Sequence, residues 1–81
     1  MQQRTSFKLY TNPVTDVLKL EGLNENLKTT ITIFDADGKI LSTSTLLSKT
    51  YAKNIRQFAA GTYFMIIATD NKTQTIKFVK Q

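Results

Sequence analysis

The eight residues Gly61-Thr62-Tyr63-Phe64-Met65-Ile66-Ile67-Ala68 constrain the fold more than any other stretch of the chain. They form a near-continuous apolar run, rich in aromatic and β-branched side chains, with glycine in front and Asp70-Asn71-Lys72 behind. A run this short and this composed is a strand, and its apolarity on successive residues predicts a central strand buried on both faces. Phe58-Ala59-Ala60-Gly61-Thr62-Tyr63 just before it has the spacing of a sandwich corner, in which a tyrosine folds back onto the loop that precedes it.

The other strands are read from alternation and turn residues. Phe7, Leu9 and Tyr10 lead into Thr11-Asn12-Pro13, where proline ends pairing, so this segment reads as an edge followed by a turn. Val17-Leu18-Lys19-Leu20 gives a short strand with Leu18 and Leu20 inward. Thr30 to Phe34 and Lys39 to Thr43 bracket Asp35-Ala36-Asp37-Gly38. A type I turn starting at Asp35, with Gly38 in the left-handed region, sets Phe34 opposite Ile40, Ile33 opposite Leu41 and Thr32 opposite Ser42. Ser42 to Thr45 is the exposed end of that strand, and Leu46-Leu47 with Tyr51 to Ile55 supplies another. A turn about Asn71-Lys72 aligns Ile67 with Ile76, Met65 with Phe78, Phe64 with Val79 and Tyr63 with Lys80. No segment has sustained helical periodicity. The fold expected is all-β: an immunoglobulin-like antiparallel β-sandwich of six to seven short strands.

Composition narrows function chiefly by subtraction. At 81 residues there is room for one core, and 41% apolar residues mark an ordinary globular domain. With no cysteine, neither disulfides nor thiolate metal sites can form. With no histidine, the usual general base and imidazole ligand are missing, and Ser42, Ser44 and Ser48 have no evident activator. Asp35 and Asp37 read as turn residues, since the further ligands of a calcium loop are absent. The chain is therefore expected to be no enzyme, with no metal and no cofactor. The net charge of +5 comes from eleven Lys and Arg residues scattered from Arg4 to Lys80, which argues against a nucleic-acid partner. No apolar run reaches the roughly 18 residues of a membrane span, so no membrane insertion is expected.

The expected alternation leaves Phe64, Ile66 and Val79 on the face opposite Met65 and Ile67, with Lys77 among them. Such a stripe is expected to meet the Phe7 to Tyr10 segment or a partner, and weak self-association is the consequence if it stays open. Tyr63 with Lys80 is a core tyrosine covered by a lysine stem, or part of a recognition patch.

In order, Tyr10-Thr11-Asn12-Pro13, Asp16-Val17-Leu18-Lys19-Leu20, Ile31 to Asp35 with Gly38-Lys39, Gly61-Thr62-Tyr63-Phe64 and Lys77-Phe78-Val79-Lys80 make a combined pattern. Together they resemble the type A C-terminal sorting domains carried by cargo of the type IX secretion system of the Bacteroidota. The resemblance runs from about Phe7 to the end. It implies a C-terminal sorting domain over residues 7–81, with residues 1–6 an added start or a linker from an N-terminal cargo domain. It implies a non-catalytic signal that directs cargo through the periplasm and across the outer membrane, to the cell surface or medium. A surface sortase would then remove it. The partners implied are translocon and sortase components, with Gly61, Tyr63, Lys77 and Lys80 as recognition residues. Asp35, Asp37 and Gly38 form the turn signature, and Phe64, Ile66 and Val79 a partner surface. The competing reading is an immunoglobulin-like adhesion or accessory module, binding sugar or protein and retained on a surface protein.

Overall fold

The computed structural model describes residues 8–10, 16–70 and 72–81. Seven strands appear in it: β1 (Lys8–Tyr10), β2 (Val17–Glu21), β3 (Thr29–Asp35), β4 (Ile40–Leu46), β5 (Thr50–Asn54), β6 (Gly61–Ala68) and β7 (Thr73–Lys80). They form two antiparallel sheets, ordered β1-β2-β5 and β4-β3-β6-β7. This is the expected immunoglobulin-like sandwich, in the variant where the fourth strand joins the third rather than the opposite sheet. The Asn12-Pro13 turn and the boundary at residue 7 lie outside the described residues.

Alternation builds the core. Leu18 and Leu20 face inward from β2, Ile31 and Ile33 from β3, Met65 and Ile67 from β6 and Phe78 from β7, all essentially without solvent contact. Ile55, just past β5, plugs the same interior, and Leu46 and Phe58 pack against it.

β6 is central in its sheet, but only one of its faces is fully buried: Tyr63, Met65 and Ile67 are inside, while Phe64 and Ile66 are half-buried on the outer face. The expectation of burial on both faces is thus corrected, because the second sheet covers only one side. Phe64, Ile66 and Val79 share the outer face as expected, Phe64 pairing with Lys77, Thr62 with Val79 and Ile66 with Thr75. The Lys8–Tyr10 strand lies in the other sheet, paired with β2, and does not cross this stripe.

Two registers differ from expectation. In the β3–β4 hairpin Phe34 does face Ile40, but Ile33 then faces Ser42 and Thr32 faces Thr43, leaving Leu41 as a bulge. The extra residue reverses the facing of the rest of β4, so Ser42, Ser44 and Leu46 point inward and Thr43 and Thr45 outward. Without it Leu46 would face water. In the β6–β7 hairpin Thr69 N–H donates to Lys72 C=O at 2.8 Å, so the chain reverses one residue earlier than expected and the register moves by two. Tyr63 therefore faces Phe78, Met65 faces Ile76, Ile67 faces Gln74 and Gly61 faces Lys80. Matching apolar with apolar across the ladder misleads here, because the position of the turn fixes register before side chains choose partners. A shift of two preserves which face each residue occupies.

Candidate functional site

The recognisable segments of the sequence gather at one end of the sandwich. β3 reaches it at Asp35, which pairs with Tyr63 of β6, which in turn pairs with Phe78 of β7. The β5–β6 corner arrives there as well, tied to the start of β2 by Ile55 N–H donating to Asp16 C=O at 2.8 Å.

The corner is built around Tyr63. Phe58 N–H donates to Ile55 C=O at 3.0 Å, rounding the loop, and the Tyr63 hydroxyl donates to the Ala59 carbonyl. The ring packs against Phe58 (centroids 5.2 Å apart, 32° between planes) and Phe78 (5.6 Å, 19° between planes). These contacts give the tyrosine the buried apolar body and satisfied polar tip that a corner needs. Gly61 begins the strand at φ +154°, where a Cβ would meet nothing within 4 Å, so glycine is required by backbone conformation and not by space.

Lys80 is opposite Gly61 and diagonal to Tyr63, on the inner face of β7. It is only 9% exposed, and its Nζ donates to the main-chain oxygen of Gln81 at 3.0 Å. The tyrosine and lysine are neighbours, but not directly paired. Lys77 is exposed on the outer face beside Phe64. The four expected recognition residues thus occupy one end of the β6–β7 ladder but present on two faces, Tyr63 and Lys80 inside and Lys77 outside.

The turn signature adjoins them. Asp35 C=O accepts from Gly38 N–H at 3.0 Å, Asp35 N–H donates to Lys39 C=O at 3.0 Å, and Gly38 has φ +89°. The Asp35 carboxylate accepts from the N–H groups of Asp37 and Lys39, each at 2.9 Å. That carboxylate is committed to the turn, and Asp37 is an exposed turn residue.

Sequence reasoning missed Phe58 and Phe78 as the walls of the tyrosine site. The Phe58-to-Tyr63 spacing is visible as a corner, but the register error displaces Phe78. Among the described residues no group of three or more His, Cys, Asp or Glu could hold a metal ion. At the far end a shallow groove lies between the Gly22–Asn26 segment and Lys49–Thr50. Its one ion pair, Lys49 with Glu25 at 4.0 Å, is exposed and weak. No described helix is long and apolar enough to cross a membrane.

Comparison with known proteins bears on this arrangement. No curated protein matches the sequence at a significant level. Among solved structures, PorZ is similar with a TM-score of 0.80 at 20% identity. PorZ is described as an essential bacterial surface component of the type IX secretion system of Porphyromonas gingivalis. The match covers 94% of this chain and 11% of PorZ, so the two share a fold over one small part of the larger protein. Residues 8–81 match the family described as the secretion system C-terminal sorting domain, and the chain belongs to that family.

Proposed function

We propose that this domain is a non-catalytic C-terminal signal that directs an N-terminally attached cargo across the outer membrane by the type IX secretion system. A surface sortase then removes it. The observation that carries this reading is the family match over residues 8–81. The convergence of the family-like segments at one end of the fold supports it, because machinery that reads many cargoes needs one surface common to all of them. We assign recognition to Gly61, Tyr63, Lys77 and Lys80. Gly61 and Tyr63 shape the corner, and Lys77 supplies an exposed charge beside it. The outer stripe of Phe64, Ile66 and Val79 serves as the partner surface.

The test is a reporter fused ahead of this chain and expressed in a bacterium with a working type IX system. The expected result is reporter outside the outer membrane, reduced in mass by about this domain and dependent on the translocon. Export in a translocon-deficient strain would overturn the signal reading, and export at full mass would overturn removal.

One observation favours a second reading, a module retained on a surface protein: the same fold forms part of PorZ, described as a surface component. Retention of full mass on the cell surface is the outcome that reading requires.

A further inference from the structure

β4 is an edge strand: it pairs with β3 along one side, and no other described strand pairs with it. Natural sheets guard such edges with charges, proline or a bulge. β5 carries Lys53 at an inward position, paired with Leu18, and β7 carries Lys77 and Lys80. β4 reads Ile-Leu-Ser-Thr-Ser-Thr-Leu, without charge, proline or glycine, and its one irregularity is the bulge near its start. Leucines near both of its ends are left in water: Leu41 is 37% exposed and Leu47 63%.

We propose that β4 pairs with β4 of a second copy of this chain, antiparallel, about a two-fold axis at Ser44. Two four-stranded sheets then become one continuous sheet, the self-complementary form of strand addition. From Leu41 to Leu47 the sequence is symmetric about that point except at Ser42 and Leu46. Thr43 meets Thr45 of the partner, Ser42 meets Leu46, and Leu41 meets Leu47, so the two exposed leucines cover each other on both sides of the axis. The threonines extend the outward row in which the Thr30 and Thr45 hydroxyls already lie 3.3 Å apart. Centring the axis on Thr43 would set Leu41 against Thr45 and leave Leu47 uncovered.

The overall charge of +5 does not oppose this interface, because β4 itself carries none of it. Lys39 and Lys49 meet only at the two ends of the paired strands, so added salt, by screening them, tightens association. The outer stripe is a poorer self-interface: Lys77 sits within it and meets its own charge in a face-to-face pair. β4 and β7 are opposite edges of the sheet, so the association leaves the Tyr63 end accessible in both copies. The proposal stands independently of the export reading.

Sedimentation equilibrium of this chain from micromolar to millimolar concentration tests it, with two double variants whose substituted side chains are exposed on the outer face. Thr43→Lys with Thr45→Lys sets lysine against lysine twice across the axis, and dimerisation weakens at least about tenfold. Thr43→Lys with Thr45→Glu sets lysine against glutamate at the same two places, and dimerisation stays within about threefold of the unsubstituted chain. Circular dichroism melts establish that both variants fold. A chain that stays monomeric throughout, or a dimer indifferent to the two lysines, overturns the proposal. So does a folded Lys–Glu variant that loses association as fully as the Lys–Lys variant.

Discussion

Gly38 and Tyr51 show two different local costs that the fold carries. Gly38 sits at φ +89° with open space where a Cβ would be, so replacing it strains only the backbone. Gly38→Val is expected to cost about 1 kcal/mol or more, and Gly38→Asn clearly less, because asparagine tolerates the left-handed region. Chemical denaturation of the two variants measures the difference, and equal costs would remove the backbone explanation. Tyr51 faces inward from β5, 7% exposed, and its hydroxyl is enclosed without a hydrogen bond of proper geometry. Burial raises its pKa above the ordinary 10.0, and the nearby Ser44 and Ser42 hydroxyls only partly offset that. The folded protein therefore holds this proton more tightly than the unfolded chain does. The associated stability is fully present below pH 10 and is lost as pH rises through the raised folded value. Tyr51→Phe should flatten that alkaline loss and leave stability at neutral pH undiminished, against the roughly 1 kcal/mol expected on removing a hydrogen-bonded hydroxyl. Melts of both proteins between neutral and strongly alkaline pH decide it. Of these two residues only Gly38 is legible in the sequence, because Asp-x-x-Gly names its turn, whereas the Tyr51 environment depends on the bulge that turns Ser42 and Ser44 inward.

At the scale of elements, the strands and the inward residues of β2 and β6 can be read from the sequence, but the facing of β4 and the registers cannot. Alternation is a property of one strand, and it places Leu18, Leu20, Met65 and Ile67 inside and Phe64, Ile66 and Val79 outside. Register belongs to two strands and the turn between them, and it is set by a bulge at Leu41 and a tight reversal after Thr69, neither visible as a composition. The candidate site inherits the second error: pairing by apolarity sets Phe78 opposite Met65 and hides the third member of the aromatic stack at Tyr63. The corrected pairing changes what substitutions in β6 and β7 should do. Tyr63→Ala removes a ring packed against two others together with a hydrogen bond to the corner, and is expected to cost about 3 kcal/mol or more. Tyr63→Phe keeps the stack and loses only the Ala59 contact, at about 1 kcal/mol. Denaturant midpoints with unchanged slopes would support both, and a Tyr63→Phe loss as large as the alanine loss would mean the corner bond dominates. Lys80 also ceases to be an ordinary surface lysine. Its stem is covered, so Lys80→Ala should cost about 1 kcal/mol through lost packing, whereas Lys77→Ala on the exposed face should fall within about 0.5 kcal/mol of zero.

At the scale of the molecule, export and stability can be separated, because the two lysines lie on opposite faces of one strand. If the machinery reads the end of the sandwich as a surface, Lys77 is the member it can touch without disturbing the core, while Tyr63 and Lys80 act by holding that end in shape. Lys77→Ala should then reduce export of a fused cargo while leaving its melting curve in place. Tyr63→Ala should reduce export together with stability. Lys80→Met, which retains an apolar stem without the ammonium, separates the roles at the third position: full export assigns Lys80 to shape, and reduced export at normal stability assigns its charge to recognition. Outer-face variants Phe64→Ser and Ile66→Ser probe the neighbouring stripe in the same assay. Each removes a half-buried apolar side chain that is not part of the enclosed core, so the melting shift should be smaller than for Tyr63→Ala. The measurement is the fraction of cargo outside the outer membrane for each variant, plotted against its unfolding free energy. A single curve through all variants would mean that export depends on folding alone and that no residue of this end is read directly. Lys77→Ala and the stripe variants lying well below that curve would place recognition on the outer face of β6 and β7. Normal export of a Lys77→Ala, Lys80→Met double variant would remove both charges from recognition, leaving the corner and the stripe as the surface to be tested.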